Sequence, residues 1–179
     1  MQIVQLLNSY ASGRRDFSGV DFREAWMPGL QLHQVSLQGA DLTGCNLSQG
    51  VMTEVDFSRA TLWRANLAHA QFQRSRFDRA LLIRCQLRES HLENCCLDYA
   101  DLRLADLQGA QLQGVSLRNA QLCYANLSHA NLAGIDFRRV DLTGADFTHA
   151  NVSGCHFTQL QLSYLALPTS TDVEPSLAL

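Results

Sequence analysis

From Phe17 to Leu167 every fifth residue is Leu, Phe, Met or Val, and no insertion breaks the register. The run has 31 members (20 Leu, 8 Phe, 2 Met and 1 Val) and takes up every Phe in the chain. Internal self-similarity of this kind decides the fold before any local propensity does. A period of five matches neither the periodicity of a lone helix nor that of a simple strand. Other phases of the repeat are equally selective. Two positions before the anchor, from Val20 to Leu165, Ala occurs 14 times, Val five times and Cys four times. One position before it Asp or Asn recurs, as at Asp41, Asn46, Asn66, Asp101, Asp106 and Asn126. Nine of the eleven glycines fall two positions after an anchor, among them Gly39, Gly44, Gly109, Gly144 and Gly154.

A compact residue and a large one, two apart, point to the same side of a short extended segment. The residues that follow must turn a corner. Glycine suits the third position of a type II turn, where φ is positive. Four such segments close a square, which makes a coil of twenty residues. No five-residue unit can bury its own anchor, so the coils must stack. Residues twenty apart then lie about 4.8 Å apart along the axis. The anchor column Phe17, Leu37, Phe57, Phe77, Leu97, Leu117, Phe137, Phe157 reads as a phenylalanine-rich core stack. No glycine occurs between Gly50 and Gly109, so the corners there are expected to use turns without positive φ.

The segments "ADLTGCNLSQG", "ANLAHAQF" and "ADLQGAQLQG" match the A(D/N)Lxx pattern, and the chain resembles the pentapeptide repeat family on that ground. The resemblance implies an all-β fold, a right-handed quadrilateral β-helix. The start, "LLNSYASGRRDFSG", is similar to the N-terminal cap of cyanobacterial members, which implies a cyanobacterial source. Ile3, Leu6, Leu7 and Tyr10 have helical spacing and Gly13 is a stop signal, so residues 2–12 are expected to form a short capping helix over the first coil. Such a cap covers an otherwise open, unpaired β edge. The expected organisation is a helical cap over 1–14, the β-helix over 15–167 and a proline-containing tail over 168–179.

At 179 residues the chain is one domain in size. Its formal charge of −3 gives no global sign of a polyanion binder. All fourteen basic residues are Arg, which forms bidentate and stacking contacts that Lys cannot. The N-terminus lacks a basic leader with a long apolar core, and no apolar run is long enough to span a membrane. The six Cys form no C-x-x-C pattern. A cytoplasmic, reduced protein without membrane contact is expected.

Most reactive residues read as structural. Cys45, Cys85, Cys95 and Cys155 occupy the compact inward slot, whereas Cys96 and Cys123 point outward and are open to oxidation. His69, His129 and His149 share a column; a metal bridging His129 and His149 would have two ligands and no carboxylate beside them, a weak site. The column Asn46, Asn66, Gln86, Asp106, Asn126, Asp146 is expected to form a side-chain ladder. No phosphate loop, nucleophile elbow or His–carboxylate constellation is present. A filled core leaves no catalytic pocket, so no enzyme activity, cofactor or metal is expected.

One side of the coil is different. The segments anchored by Leu62, Leu82, Leu102 and Leu122 place Trp63, Ile83, Arg103 and Cys123 in one outward column and Arg64, Arg84, Leu104 and Tyr124 in the next. Leu81 lies on the same side, just before its anchor, and Arg59, Arg79 and Tyr99 occupy the preceding corner, near Arg76 and Arg118. An apolar patch rimmed by Arg marks an interface, and Trp, Tyr and Arg dominate binding hot spots. The alternative is that Leu81 and Ile83 are tolerated surface hydrophobes covered by Arg stems. The candidate binding residues are therefore Arg59, Trp63, Arg64, Arg79, Leu81, Ile83, Arg84, Tyr99, Arg103, Leu104 and Tyr124. The expected function is a protein-interaction scaffold or regulator, bound to a partner protein or to a second copy of itself. Quinolone-resistance members of the family mimic DNA and bind DNA gyrase. That role calls for a strongly negative rod, and seven Arg between Arg59 and Arg88 argue against it. Binding of nucleic acid to the Arg cluster, with Trp and Tyr stacking on bases, is opposed by the overall negative charge.

Overall fold

The computed structural model describes residues 2–168. The C-terminal tail expected from 168 onward lies, beyond Pro168, outside the described residues. Two short helices, α1 (Ile3–Ala11) and α2 (Gln159–Tyr164), flank a parallel solenoid. Its three formal strands are β1 (Gln31–His33), β2 (Val51–Thr53) and β3 (Gln71–Gln73). They pair in parallel, in the order β1-β2-β3. Leu32 pairs with Met52 and Met52 with Phe72. The rest of the ladder consists of single parallel bridges, from Asp16 with Ser36 to Asp136 with His156, and every partner is twenty residues away. A turn in every five residues leaves room for no longer strand. The chain is a β-helix solenoid whose twenty-residue coil contains four segments and four turns.

The inward phases behave as the periodicity demands. Every anchor from Phe17 to Phe157 is buried, and so are most of the compact residues two positions earlier. The aromatic column resolves into two stacked pairs rather than a continuous stack. Phe57 lies on Phe77 with centroids 4.9 Å apart, and Phe137 on Phe157 at 5.1 Å. Phe72 and Phe147 meet these pairs edge-on. Two inward serines are hydrogen-bonded, as buried hydroxyls must be. Ser75 Oγ donates to the Met52 carbonyl (3.1 Å) and Ser90 Oγ to that of Leu87 (2.7 Å).

The corners depart from the expectation drawn from the missing glycines. At most of them the anchor carbonyl accepts from the amide three residues on, as Leu62 does from Ala65 at 3.0 Å; after Met52, in β2, the Val55 amide donates instead to Ser75 Oγ (3.2 Å). The third residue of the turn has positive φ whether or not it is glycine. Arg59, Arg64, Arg79 and Arg84 lie at φ +56 to +60°, and Tyr99 and Leu104 at +60°. The reason is cooperative. The corner amide donates to the coil above (Arg64 N to the Ile83 carbonyl, 3.1 Å), and the flanking segments are pinned in the same way. The stack thus imposes one turn geometry on all of them. Arg139 is the single described corner position between 19 and 154 that escapes it.

The Asp or Asn before the anchor mainly caps its own turn. Asn46 Oδ1 accepts from the Ser48 amide at 2.9 Å and Asn66 Oδ1 from that of Ala68 at 3.0 Å. This is the side-chain-to-backbone bond of an Asx turn. The expected ladder between coils shrinks, in that column, to Asn126 Nδ2 donating to Asp106 Oδ1 at 3.0 Å.

Both ends are covered. Leu6 of α1 is buried, Ile3 and Tyr10 pack beside it, and the Tyr10 hydroxyl accepts from the His33 amide at 3.1 Å. At the other end the anchor pattern overruns the ladder. Leu162 and Leu167 keep the phase, but the chain leaves the ladder at Thr158 and enters α2. Thr158 and Gln161 form a capping box. The buried Gln161 amide also donates to the carbonyls of Phe137 (2.8 Å) and Val140 (2.9 Å), which have no further coil above them.

Candidate partner-binding face

The four segments anchored by Leu62, Leu82, Leu102 and Leu122 stack directly. The amides of Arg59, Arg79 and Tyr99 donate to Asp78, Asp98 and Arg118, one coil on. On the opposite edge Arg64, Arg84 and Leu104 donate to Ile83, Arg103 and Cys123. These bonds place the predicted residues in two corner columns, with Leu81 between them. Five large side chains remain exposed there: Trp63 (42%), Leu81 (43%), Leu104 (46%), Tyr99 (54%) and Tyr124 (63%). Only ten large hydrophobics in the described chain are exposed at all, so half of them lie on this one face. Ile83 differs from the expectation, being half-buried.

The electrostatics separate the arginines into two groups. Arg103 grips Asp101 through two bonds, Nε–Oδ1 at 2.8 Å and Nη2–Oδ2 at 2.6 Å, and Asp101 is itself buried. Arg103 is therefore neutralised. Arg59, Arg64, Arg79 and Arg84 form no ion pair among the described residues. Instead Arg64 lies over the Trp63 ring (5.4 Å) and Arg79 over that of Tyr99 (5.2 Å), both cation–π distances. The nearest corner carboxylates are engaged elsewhere. Asp78 accepts from Arg76 Nε (3.1 Å) and Cys96 Sγ (3.2 Å), and Asp98 from the Ser116 hydroxyl and the Arg118 amide. An open groove of about 460 Å³ borders the face and is lined by Arg59, Arg76 and Arg79 together with Asp56 and Asp78.

Two parts of this face are not visible in the repeat. Tyr164 of α2 is 48% exposed. Its phenol is pushed up by burial and then by Asp141. Gly144 makes room for Tyr124, since a Cβ there would stand 2.5 Å from the Tyr124 ring. Gly144 and Tyr164 follow Tyr124 at intervals of twenty residues, but Tyr164 stands in α2, outside the ladder.

The outward thiols are less reactive than their position suggested. Burial, then hydrogen bonding to Asp78, pushes Cys96 up to about 11. Cys123 is likewise pushed up to about 11, by burial and then by Asp141. Such thiols stay protonated at neutral pH and are poor nucleophiles. The His129 and His149 rings are tilted by 31° with centroids 5.0 Å apart, and among the described residues no group of three or more His, Cys, Asp or Glu could hold a metal. No described helix is long and apolar enough to cross a membrane.

A family model described as pentapeptide repeats (8 copies) matches residues 16–53, 51–85, 85–122 and 120–159. No curated protein sequence matches the chain. Among solved structures it is similar to trypsin-treated QnrB1, a plasmid-mediated fluoroquinolone resistance protein. One such structure is 17% identical over 83% of this chain and 92% of that one, with a TM-score of 0.51. Another is 20% identical over 81% and 76%, with a TM-score of 0.50. HetL, involved in heterocyst differentiation regulation in the cyanobacterium Nostoc sp. strain PCC 7120, is 22% identical over 87% and 94%, with a TM-score of 0.38.

Proposed function

This chain is a pentapeptide repeat protein, and on that footing we propose that it is a non-enzymatic, cytoplasmic interaction scaffold or regulator whose partner docks on the Trp63–Tyr124 face. We take its solenoid to be right-handed and four-sided, in keeping with four turns in each twenty-residue coil. The observation that carries the functional reading is that half of the exposed large hydrophobics of the described chain, Trp63, Leu81, Tyr99, Leu104 and Tyr124, lie on this face. Exposed Trp and Tyr beside unpaired Arg is the composition of a binding hot spot.

The DNA-mimic reading is disfavoured by the same residues. Likeness to QnrB1 extends to the fold alone, and a face bearing four guanidinium groups with no ion pair among the described residues is opposite in sign to a DNA surface. Added protein should leave gyrase supercoiling unchanged.

The test is a photo-crosslinking residue placed at Leu81, with a control at Gln71, an exposed position on another side. The probe at Leu81 should give discrete adducts in cells, and these should disappear when Trp63 and Ile83 are made polar. An adduct of twice the chain mass would identify the partner as a second copy. Identical adduct patterns from Leu81 and Gln71 would sink the proposal.

A further inference from the structure

Resting on the reading of this face as a docking site, we infer that its occupant is an extended, acidic protein segment whose carboxylates seat between paired arginines on either side of Leu81. Arg59 and Arg79 occupy consecutive rungs of one corner, and Arg64 and Arg84 consecutive rungs of the other. The backbone spacing within each pair is about 4.8 Å. Like charges held this close repel, and no carboxylate of the described chain pairs with any of the four. Asp56, Asp78, Asp98 and Asp101, acids on the same coils, accept instead from Gln38 and the Ser58 amide, from Arg76, from Ser116 and the Arg118 amide, and from Arg103. A single carboxylate between two guanidiniums relieves the repulsion and gains charge-assisted hydrogen bonds.

The width of the face sets the spacing. The corners are joined by a segment with about three extended residues, so the two columns stand roughly 10 Å apart. An extended peptide presents alternate side chains on one side, and the unit Glu-Ser-Leu-Ser-Glu spans about 13 Å from Glu to Glu. Its central Leu meets Leu81, flanked by Trp63 and half-buried Ile83, while the glutamates reach one Arg pair each. A second copy of this chain fits less well. With the rods parallel and faces opposed, Arg columns meet Arg columns.

The probe is a fluorescein-labelled peptide with the core Glu-Ser-Leu-Ser-Glu, titrated with full-length protein by fluorescence anisotropy. Binding should weaken as salt rises, because exposed charge pairs are screened. The fourfold variant R59G/R64G/R79G/R84G should weaken it about thirtyfold, as expected for four exposed ion pairs. Glycine suits the positive φ at all four corners, so a retained melting transition certifies the variant as folded. A peptide with Lys for Glu should not bind. No binding of the glutamate peptide at low salt, equal binding by the variant, or equal binding of the lysine peptide would overturn the inference. Tighter binding of a single-stranded oligonucleotide, lost in the same variant, would overturn it in favour of nucleic acid. A partner crosslinked at Leu81 with no affinity for the acidic peptide would refute the inference alone and leave the docking face intact.

Discussion

Replacing Arg59, Arg64, Arg79 and Arg84 together by Gly should make the protein more stable. All four have φ between +56 and +60° and are exposed. Left-handed backbone costs a residue with a Cβ about 1–2 kcal/mol, whereas glycine loses about 0.5–1 kcal/mol more chain entropy on folding. The net gain is roughly 0.75 kcal/mol per corner, or about 3 kcal/mol for four, before any relief of charge repulsion. For a chain of this length that is a rise of about 6–12 °C in the melting temperature. Urea unfolding followed by far-UV circular dichroism, with a thermal scan beside it, reads both quantities. The reciprocal control is Gly134→Arg, where φ is +78° and nothing lies within 4 Å of a new Cβ. It should lose about 1 kcal/mol through strain alone. A fourfold variant that is less stable than the parent would refute the reasoning. The guanidinium stems would then be covering Leu81 and Ile83 as structural packing, and the corners would need no functional explanation.

Phe77→Ala removes a ring stacked on Phe57 at 4.9 Å and 1% exposed, and should cost about 3–5 kcal/mol in urea unfolding. Gln161→Leu deprives the Val140 carbonyl of its donor, while that of Phe137 keeps the Val140 amide (2.9 Å), and one buried acceptor left unpaired costs about 1–3 kcal/mol. Hydrogen exchange should quicken in the last coil before the global melting temperature moves by a comparable amount. Acid should destabilise the fold in a defined window. The Arg23 hydrogen bonds hold Asp21 at about 2 against an ordinary 3.8, and Asp16, Asp136, Asp141 and Asp146 are lowered too, chiefly by side-chain hydrogen bonds. Depressed carboxylates contribute stability that is fully present above their unfolded values and lost as pH falls through the folded ones. Urea midpoints should therefore be flat with respect to these groups above about pH 5 and decline from pH 4 toward 2.

The N-terminal helix was legible from the helical spacing of Ile3, Leu6, Leu7 and Tyr10, and the five-residue anchor pattern was enough to read the solenoid, its twenty-residue coil and the buried thiols. These follow from which way each side chain points, and a strict period states that directly. The columns of the candidate face were legible for the same reason, since residues twenty apart must stack. The corner conformation was not legible. Residue preference at Arg64 or Leu104 speaks against positive φ, but hydrogen bonds to the next coil fix the turn regardless of the side chain it carries. The exit at Thr158 was hidden because Leu162 keeps the anchor phase while the chain has already become helical. Nor does the period say which arginines are free. Arg103 meets Asp101 two residues away and Arg88 meets Asp106 eighteen away, whereas Arg59, Arg64, Arg79 and Arg84 pair with no acid among the described residues. Periodicity thus determined the backbone path and the inward faces of this protein. Tertiary stacking decided the turn geometry, the helical end and the charge left open on the surface, because each depends on neighbours that only adjacent coils supply.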